Sequence, residues 1–271
     1  MTNTIKKIIK KILNNSNKSN INLVDTFPSF IPNSKGSYKY LEKIIVQNIN
    51  NSIKAINNLK SKEINFYLKT SDFPDTINAQ DLKDLLDNSG SDKANHHDYH
   101  KVYSYIIEDI QNVKNILEIG IGTTNPNVVS NMGTHGKPGA SLIAFSEFLQ
   151  NANIYGADID KEILFTENNI KCFHIDQLDI ETFKVLEKIK FDLIIDDGLH
   201  AQIANLNTLK FAMENLSKGS WFVVEDIPDY SLDTWEIVCK LLNEEHFVRI
   251  VKSTKSFLFI CKIKSKEKSL F

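Results

Sequence analysis

The amino-acid sequence predicts an α/β protein built on one sheet of seven strands, five of them parallel and the last two forming an antiparallel hairpin. From residue 113 onwards, short runs rich in β-branched and aromatic residues alternate with amphipathic helical patterns. The runs are almost continuously apolar, which is typical of strands buried on both faces of a parallel sheet. Only a few residues separate the last two runs, too few for the crossover that a parallel pair requires.

The bounds of these strands matter because an open α/β sheet binds its ligands beyond the carboxyl ends of its strands. The seven apolar runs predict strands over 113–120, 152–159, 170–175, 191–198, 219–226, 246–253 and 256–263. In the segments between them, apolar residues recur every three or four positions. This periodicity predicts helices over 140–150, 179–188, 201–216 and 231–243.

Residues 1–86 differ in composition from the rest of the chain, and we expect them to form a mainly helical N-terminal extension. They hold 13 lysines against 7 acidic residues, whereas residues 87–271 hold 19 basic and 27 acidic residues. Two domains are therefore expected. Residues 1–86 would serve oligomerisation or substrate cover, and residues 87–271 would form the sheet and its helices.

The start of the extension has the pattern of an amphipathic helix, with isoleucines at helical spacing and lysines between them: Ile5, Ile8, Ile9 and Ile12. A basic helix of this kind can lie on an anionic membrane. Packing against its own core or against another subunit is the more common role, so we expect a homo-oligomer. The segments that follow are predicted to be a loop over 15–36 and a second helix over about 37–60.

The composition limits the classes of protein to which the chain can belong. Its 271 residues are 42% hydrophobic, with no apolar stretch of a membrane span's length and no signal-peptide core. The three cysteines are widely spaced, so we expect a protein of the reducing cytoplasm without disulfides or a zinc site. The acidic larger part argues against nucleic-acid binding. Arg249 is the single arginine, so an anionic ligand would be held by lysine, histidine, a metal or backbone N–H groups.

The ends of the first two strands carry residues suited to a nucleotide-like cofactor. Gly120 and Gly122 follow Glu118, and closely spaced glycines let a ligand approach the backbone. Asp158 ends the second strand, where its carboxylate can accept both hydroxyls of a ribose. An NAD-binding protein also has an acid there, but its glycine fingerprint needs a third glycine where Asn125 stands.

These strand ends and several neighbouring segments resemble the class I S-adenosylmethionine-dependent methyltransferases. The likeness is greatest to the metal-dependent sugar O-methyltransferases of macrolide tailoring and bacterial polysaccharide synthesis. It runs from about residue 90 to residue 265 and implies a Rossmann-like seven-stranded methyltransferase sheet. The segments that carry it are Gly90-Ser91-Asp92-Lys93 with His97 and Tyr99, ILEIGIG at 116–122, NPNVVSNMGTHGKPGASL at 125–142, YGADID at 155–160, IDDGLH at 195–200 and VVEDI at 223–227.

The resemblance implies that S-adenosylmethionine is the cofactor, and it assigns residues to that cofactor. Gly120 and Gly122 would approach the methionine part, and Asp158 would bind the ribose. The other cofactor residues that it implies are Asp176 and Gln177 near the adenine, Lys93 and Tyr99 as a cover, and Glu118 and Asp196 at the strand ends.

Acidic residues end two neighbouring strands of the predicted sheet. Asp197 follows the fourth strand, and Glu225 and Asp226 end the fifth, so the three carboxylates are expected to converge. Such carboxylates repel one another unless protons or a cation neutralise them, and Mg²⁺ with oxygen ligands meets that need. The alternative is that one or two of them cap the following helices. Asp196 is expected to face the cofactor or to cap a helix.

His200 is the candidate general base. It follows Asp197 by three residues, which places both side chains on one side of a helix start, and it matches the base position of the family that the chain resembles. The segment 123–139 is longer than an ordinary connection, so we expect it to form a wall or lid over the substrate. His135 in this segment is a candidate substrate contact.

The sequence as a whole predicts an O-methyltransferase that uses S-adenosylmethionine and Mg²⁺ to methylate a hydroxyl of a small, carbohydrate-type acceptor, in polysaccharide or capsule biosynthesis. One alternative acceptor is a phosphoramidate or phosphate ester of a capsule precursor, whose charge the metal and Lys137 would bind. The other alternative is a nucleotide-binding scaffold without catalysis, because a fold alone does not establish activity.

Overall fold

The computed structural model describes residues 65–264 of the chain. Its centre is one mixed sheet of nine strands: β1 (Tyr67–Lys69), β2 (Asn115–Ile119), β3 (Asn153–Asp158), β4 (Thr166–Glu167), β5 (Ile170–His174), β6 (Phe191–Asp196), β7 (Leu216–Ile227), β8 (Phe247–Lys252) and β9 (Phe257–Lys262). Across the sheet the strands follow the order β4-β5-β3-β2-β6-β7-β9-β8-β1.

The central part of the sheet has the predicted strand directions. Strands β5, β3, β2, β6 and β7 are parallel, and β9 is antiparallel to both of its neighbours, β7 and β8. The prediction of five parallel strands followed by a hairpin is therefore confirmed. The sequence analysis missed β1, which pairs with β8, and β4, which pairs with β5. These edge strands have three and two residues, too few to produce a recognisable apolar pattern.

Five α-helices cover the two faces of the sheet in the described part of the chain. They are α1 (Ile77–Ser89), α2 (Tyr99–Ile106), α3 (Ala140–Phe148), α4 (Gln202–Asn215) and α5 (Leu232–Leu242). Three of the four predicted helices correspond to α3, α4 and α5. The helix predicted over 179–188 is instead a 3₁₀ helix, Ile180–Leu186, in which Phe183 and Leu186 are buried.

Successive residues of each central strand point to opposite faces of the sheet. In β2, Ile116 packs in the core beside α1, α2 and α3, whereas Leu117 packs in the core beside α4 and α5. In β7, Val223 belongs to the same core as Ile116. Glu118 and Glu225 lie two residues further along these strands, so the pleat sends both carboxylates toward the α1–α3 side.

Helix α1 has a terminal signal at each end. Thr76 Oγ1 accepts a hydrogen bond of 3.1 Å from the Ala79 N–H at the start, and Gly90 ends the helix in the left-handed region with φ of 89°. Leu82 and Leu86 of this helix are fully buried in the core that also contains Ile116. Residue 86, where the domain boundary was expected, thus lies inside a helix of the main core.

The described part of the expected N-terminal extension, residues 65–86, packs with the sheet through β1 and α1. The two helices and the loop predicted within residues 1–60 lie outside the described residues, and the role of this segment stays a prediction. None of the helices between residues 65 and 264 combines the length and the apolar character needed to cross a bilayer.

Candidate active site

Two adjoining cavities open over the carboxyl ends of the parallel strands. The first, of about 400 Å³, lies over β2, β3 and β5, and Asp158 lines it. The second, of about 480 Å³, lies over β2, β6 and β7, and Asp226 lines it. Gly120, Gly122 and Asp197 line both cavities, so the two share one floor.

The glycines of this floor have positive φ, and at Gly120 close backbone packing excludes a side chain. Gly120 has φ of 88°, and a Cβ added there would lie 2.2 Å from the carbonyl oxygen of Asp197. Gly122 has φ of 82°, and its added Cβ would lie 2.5 Å from Cε of Met132. The Gly120 clash involves backbone that cannot turn away, so only glycine fits there and the floor presents bare backbone to a ligand.

Asp158 is held at the floor of the first cavity by backbone N–H groups. Its Oδ1 accepts from the Asp160 N–H at 2.9 Å and its Oδ2 from the Ile121 N–H at 3.1 Å. Burial raises the pKa of Asp158, and these backbone donors oppose that rise. A carboxylate oxygen accepts more than one hydrogen bond, so both oxygens remain able to receive hydroxyl groups of a ligand.

Gln177 lines the first cavity, but its polar atoms are all engaged within the protein. Its Nε2 donates to Asp196 Oδ1 and to Thr208 Oγ1, both at 2.8 Å, and its Oε1 accepts from the Leu199 N–H at 2.8 Å. Asp196 is completely buried beneath this contact and lines neither cavity. Asp196 therefore lies beneath the first cavity and does not face it, whereas Gln177 lines the cavity with its polar atoms bonded to the protein. Asp176 does line the first cavity.

The second cavity has a buried lysine among carboxylates in its wall. Lys93 Nζ lies 2.6 Å from Asp197 Oδ2, 2.7 Å from Glu225 Oε2 and 3.1 Å from Glu118 Oε1. The other oxygen of Glu225 accepts a short hydrogen bond from the Tyr103 hydroxyl. Both oxygens of Glu225 are thus occupied, and its carboxylate is bound to the α2 side of the sheet.

Asp226 is held by donors from two other elements. Its Oδ1 accepts from the Tyr99 hydroxyl at 2.7 Å and from Ser256 Oγ, in the turn between β8 and β9, at 2.8 Å. His97 Nδ1 lies 3.5 Å from the same oxygen. One side of the Asp226 carboxylate is therefore fixed by α2 and by the hairpin turn.

Asp197, His200 and Asp226 form the candidate metal cluster, because one ligand atom of each lies within 4.8 Å of the others. His200 Nε2 is 3.9 Å from Asp197 Oδ1. Asp197 and Asp226 converge as the sequence analysis expected, but the structure does not bring Glu225 into this cluster. Its pairing with Lys93 and Tyr103 accounts for that difference. The histidine takes the third place in the cluster.

The pKa values of the acidic residues reflect their surroundings. Burial raises the pKa of Asp197 and of Glu225, and the nearby Lys93 ammonium opposes the rise. Burial also acts to raise the pKa of Asp226, but His200 and His97, together with the hydrogen bonds from Tyr99 and Ser256, hold that pKa below its ordinary value. Asp226 is therefore the acid of the cluster that is most readily ionised.

The other residues predicted to bind a cofactor lie in or beneath the second cavity. Lys93 and Glu118 line the second cavity, and the Glu118 carboxylate also accepts from Ser141 Oγ at 2.7 Å. Tyr99 lines neither cavity, because its ring is buried beneath Asp226. Tyr103 was missed, although its spacing of four residues from Tyr99 on a helix was visible in the sequence.

The segment 123–139 forms a wall shared by the two cavities. It is fixed at its ends, where the Met132 N–H donates to the Thr123 carbonyl at 2.9 Å and the Gly139 N–H donates to the Ile121 carbonyl at 2.8 Å. Its middle residues line the first cavity at Val128, Val129 and Ser130, and the second at Met132, His135, Gly136 and Lys137.

The chain was compared with family models, curated proteins and solved structures. No family model matches the chain, and neither does any curated protein. Among solved structures, the chain is similar to the MycE methyltransferase from the mycinamycin biosynthetic pathway in complex with Mg and SAH. The TM-score is 0.57 at 20% sequence identity, over 70% of this chain and 56% of that chain. A second MycE structure, in complex with Mg, SAH and mycinamycin VI, gives a TM-score of 0.57 at 19% identity with the same coverage.

The likeness confirms the predicted Rossmann-like methyltransferase fold. The chain covers little more than half the length of MycE. Because a fold hosts many activities, the function has to be argued from the two cavities and their residues.

Proposed function

We propose that the chain is an S-adenosylmethionine-dependent, Mg²⁺-dependent O-methyltransferase that acts on a hydroxyl of a small, carbohydrate-type acceptor. The observation that carries the proposal is the shared floor of the two cavities, which would bring a cofactor in the first against an acceptor in the second. The MycE structure in complex with Mg, SAH and mycinamycin VI supports this pairing of ligands. We further propose that the protein works in the cytoplasm, in polysaccharide or capsule biosynthesis.

The first cavity fits the cofactor in two respects. A Cβ at Gly120 would collide with backbone, so the floor leaves room for a ligand to lie against bare peptide groups. Asp158 faces the same space with oxygens that can accept ribose hydroxyls. Asp176 would approach the adenine from the end of β5.

The candidate cluster fits a divalent ion by the chemistry of its donors. Asp197 and Asp226 offer carboxylate oxygens to the ion, and the ring of His200 lies beside them without being needed as a ligand. Other oxygens of these carboxylates are tied to Lys93, Tyr99 and Ser256, so each acid presents one side to the cluster. When bound there, Mg²⁺ would supply a Lewis acid that makes an acceptor hydroxyl more acidic.

The reaction needs an oxygen in line with the methyl carbon and a group that takes its proton. We propose His200 as that group, because it lines the second cavity beside Asp197. When bound, S-adenosylmethionine would supply the methyl group, and its sulfur would keep the electron pair of the broken carbon–sulfur bond as S-adenosylhomocysteine forms. His200 would take the proton of the acceptor hydroxyl whose oxygen gains the methyl group.

Labelled S-adenosylmethionine incubated with metabolite extracts, with and without Mg²⁺, tests the proposal. We expect Mg²⁺-dependent transfer of label to a small acceptor and micromolar or tighter binding of S-adenosylhomocysteine by calorimetry. Asp197→Asn and Asp226→Asn should abolish transfer while cofactor affinity changes only a few fold. Tighter binding of NAD would overturn the cofactor assignment, and cofactor binding without transfer to any fraction would favour the scaffold alternative.

A phosphate-ester or phosphoramidate acceptor is the second candidate, and one observation favours it. Lys137 lines the second cavity, and its side chain lies over Gly90, where an added Cβ would be 2.9 Å from Nζ. No carboxylate of the described residues pairs with this ammonium. Lys137→Met should weaken the binding of an anionic acceptor and leave the binding of a neutral sugar unchanged.

A further inference from the structure

The ammonium of Lys93 is enclosed by carboxylates. Its side chain is 3% exposed, and Nζ lies within 3.1 Å of oxygens of Glu118, Asp197 and Glu225. Nζ donates hydrogen bonds to Asp197 Oδ2 and Glu225 Oε2, and its contact with Glu118 is an ion pair. The charge of Lys93 is therefore directed at carboxylates of the protein itself.

Without Lys93, the carboxylates around the second cavity would have no paired lysine of the described residues to offset their negative charge. Glu118, Asp197, Glu225 and Asp226 place four carboxylates around the second cavity, and Lys93 is the only lysine that pairs with any of them in the part of the chain described. Buried carboxylates that share one cavity wall repel one another. Removing one partner of a buried ion pair leaves an uncompensated charge, which destabilises the fold strongly.

We propose that Lys93 is a positioning residue, a fixed internal counter-ion that shares Asp197 with the divalent ion of the proposed function. Asp197 Oδ2 binds Lys93, whereas Oδ1 faces His200 and the candidate cluster. The lysine thereby directs one oxygen of Asp197 to the ion. The same ammonium holds Glu225 away from it.

Thermal unfolding of Lys93→Met in EDTA and in Mg²⁺, without cofactor or acceptor, tests this role. In EDTA we expect the variant to melt roughly 10 °C below the wild type, because buried carboxylates lose their counter-ion. Mg²⁺ should raise the melting temperature of Lys93→Met more than that of the wild type, since the ion then offsets the negative charge that the lysine no longer balances. The double variant Lys93→Met/Glu225→Gln removes one carboxylate with the lysine, so in EDTA it should melt above Lys93→Met.

Lys83→Met is the matched control. Lys83 forms a helical ion pair of 2.6 Å with Asp87 and its side chain is 33% exposed, so its loss should leave the response to Mg²⁺ unchanged. The counter-ion role is overturned if Lys93→Met and the wild type have the same melting temperature in EDTA. It is also overturned if the double variant is no more stable than Lys93→Met. If Lys93→Met cannot be purified, recovery of a folded double variant supports the role and its failure overturns it. If Mg²⁺ shifts the melting temperatures of the wild type and Lys93→Met equally, Lys93 and the ion do not share the Asp197 carboxylate, whether or not methyl transfer is ever detected.

Discussion

Two of the three residues in the candidate metal cluster have a backbone conformation that is unfavourable for their type. His200 and Asp226 each have φ of 53°, in the left-handed region. Such conformations cost on the order of 1–3 kcal/mol and persist where the surroundings impose them, often at functional sites. Here a break in the register of β7 and β9 beyond Val224 accompanies the turn at Asp226. The strained positions thus include two of the three residues that the proposed function uses.

The sequence located the acidic residues of the site but not their partners. Glu225 and Asp226 were expected to bind one ion with Asp197 because these acids end neighbouring strands. The strand pleat turns Glu225 toward α2, where Lys93 and Tyr103 meet it. Lys93 lies in a connection without periodicity, so no pattern of the sequence could place its ammonium.

Replacing His200 by alanine separates its two possible roles. If His200 is the general base, His200→Ala should lose on the order of 10² to 10⁴ in rate, while the affinities for Mg²⁺ and S-adenosylhomocysteine stay within a few fold. Single-turnover rates and calorimetry measure these quantities. A comparable loss of Mg²⁺ affinity would instead identify the histidine as a ligand, and full activity at neutral pH would remove it from the mechanism.

The substitution Gly120→Ala should lower the stability of the fold, because the added Cβ would collide with backbone in the shared floor. The added Cβ would meet the carbonyl of Asp197, and this clash adds about 1–3 kcal/mol to the strain of a positive φ. Gly219 is the matched control, since it has φ of 83° and an added Cβ would meet nothing within 4 Å. Gly219→Ala should lose only about 1–2 kcal/mol in chemical denaturation. Equal losses for both variants would contradict the packing argument.

The elements that the sequence predicted best are those with the strongest hydrophobic pattern. The continuous apolar run of β6 is buried on both faces, and the strand was predicted within two residues of its observed end. Helices α1 and α2 were not predicted, although their buried residues recur at helical spacing, as Leu82 and Leu86 do in α1. The predicted helix over 179–188 has helical periodicity, but that spacing does not separate a 3₁₀ helix from an α-helix.

Helix α2 carries a buried histidine that should make stability depend on pH. Burial lowers the pKa of His100, aided by Lys101 and Lys83 and opposed by Asp98 and Asp75. Because the folded-state pKa lies below the unfolded value of about 6.5, the unfolded chain binds the proton more readily. Stability should therefore fall as the pH drops through about 6.5 toward the folded-state pKa.

Melting temperatures of the wild type and His100→Gln between about pH 7.5 and pH 5.5 measure this effect. The variant should lose less of its stability on acidification than the wild type. The exposed His96, replaced by glutamine, is the control and should follow the wild type. An identical acid loss in His100→Gln and in the wild type would contradict the prediction.

At the scale of the whole molecule, the described residues join the two expected domains more closely than composition suggested. Strand β1 extends the sheet beyond β8, and α1 packs in the same core as β2. The change in charge near residue 86 therefore does not mark a structural boundary. Composition is averaged over many residues, whereas a boundary depends on where the core contacts end.

The N-terminal amphipathic helix remains predicted to hold subunits together. Deleting residues 1–14 removes the stripe of Ile5, Ile8, Ile9 and Ile12, whose apolar surface is too large to leave in water. Light scattering should then give a smaller mass in solution than for the full chain. An unchanged mass combined with loss of binding to anionic liposomes would favour the membrane role instead.

The contact between Gly120 and the Asp197 carbonyl has a consequence for redesign of the protein. Because the two strand ends interlock there, a library that varies the floor would alter both pockets at once and lose most of its members to misfolding. Residues of the wall such as Met132, His135 and Lys137 line the second cavity from a loop, outside the sheet. If the proposed function holds, diversity directed to those positions would give this scaffold new acceptors while the shared floor is inherited intact.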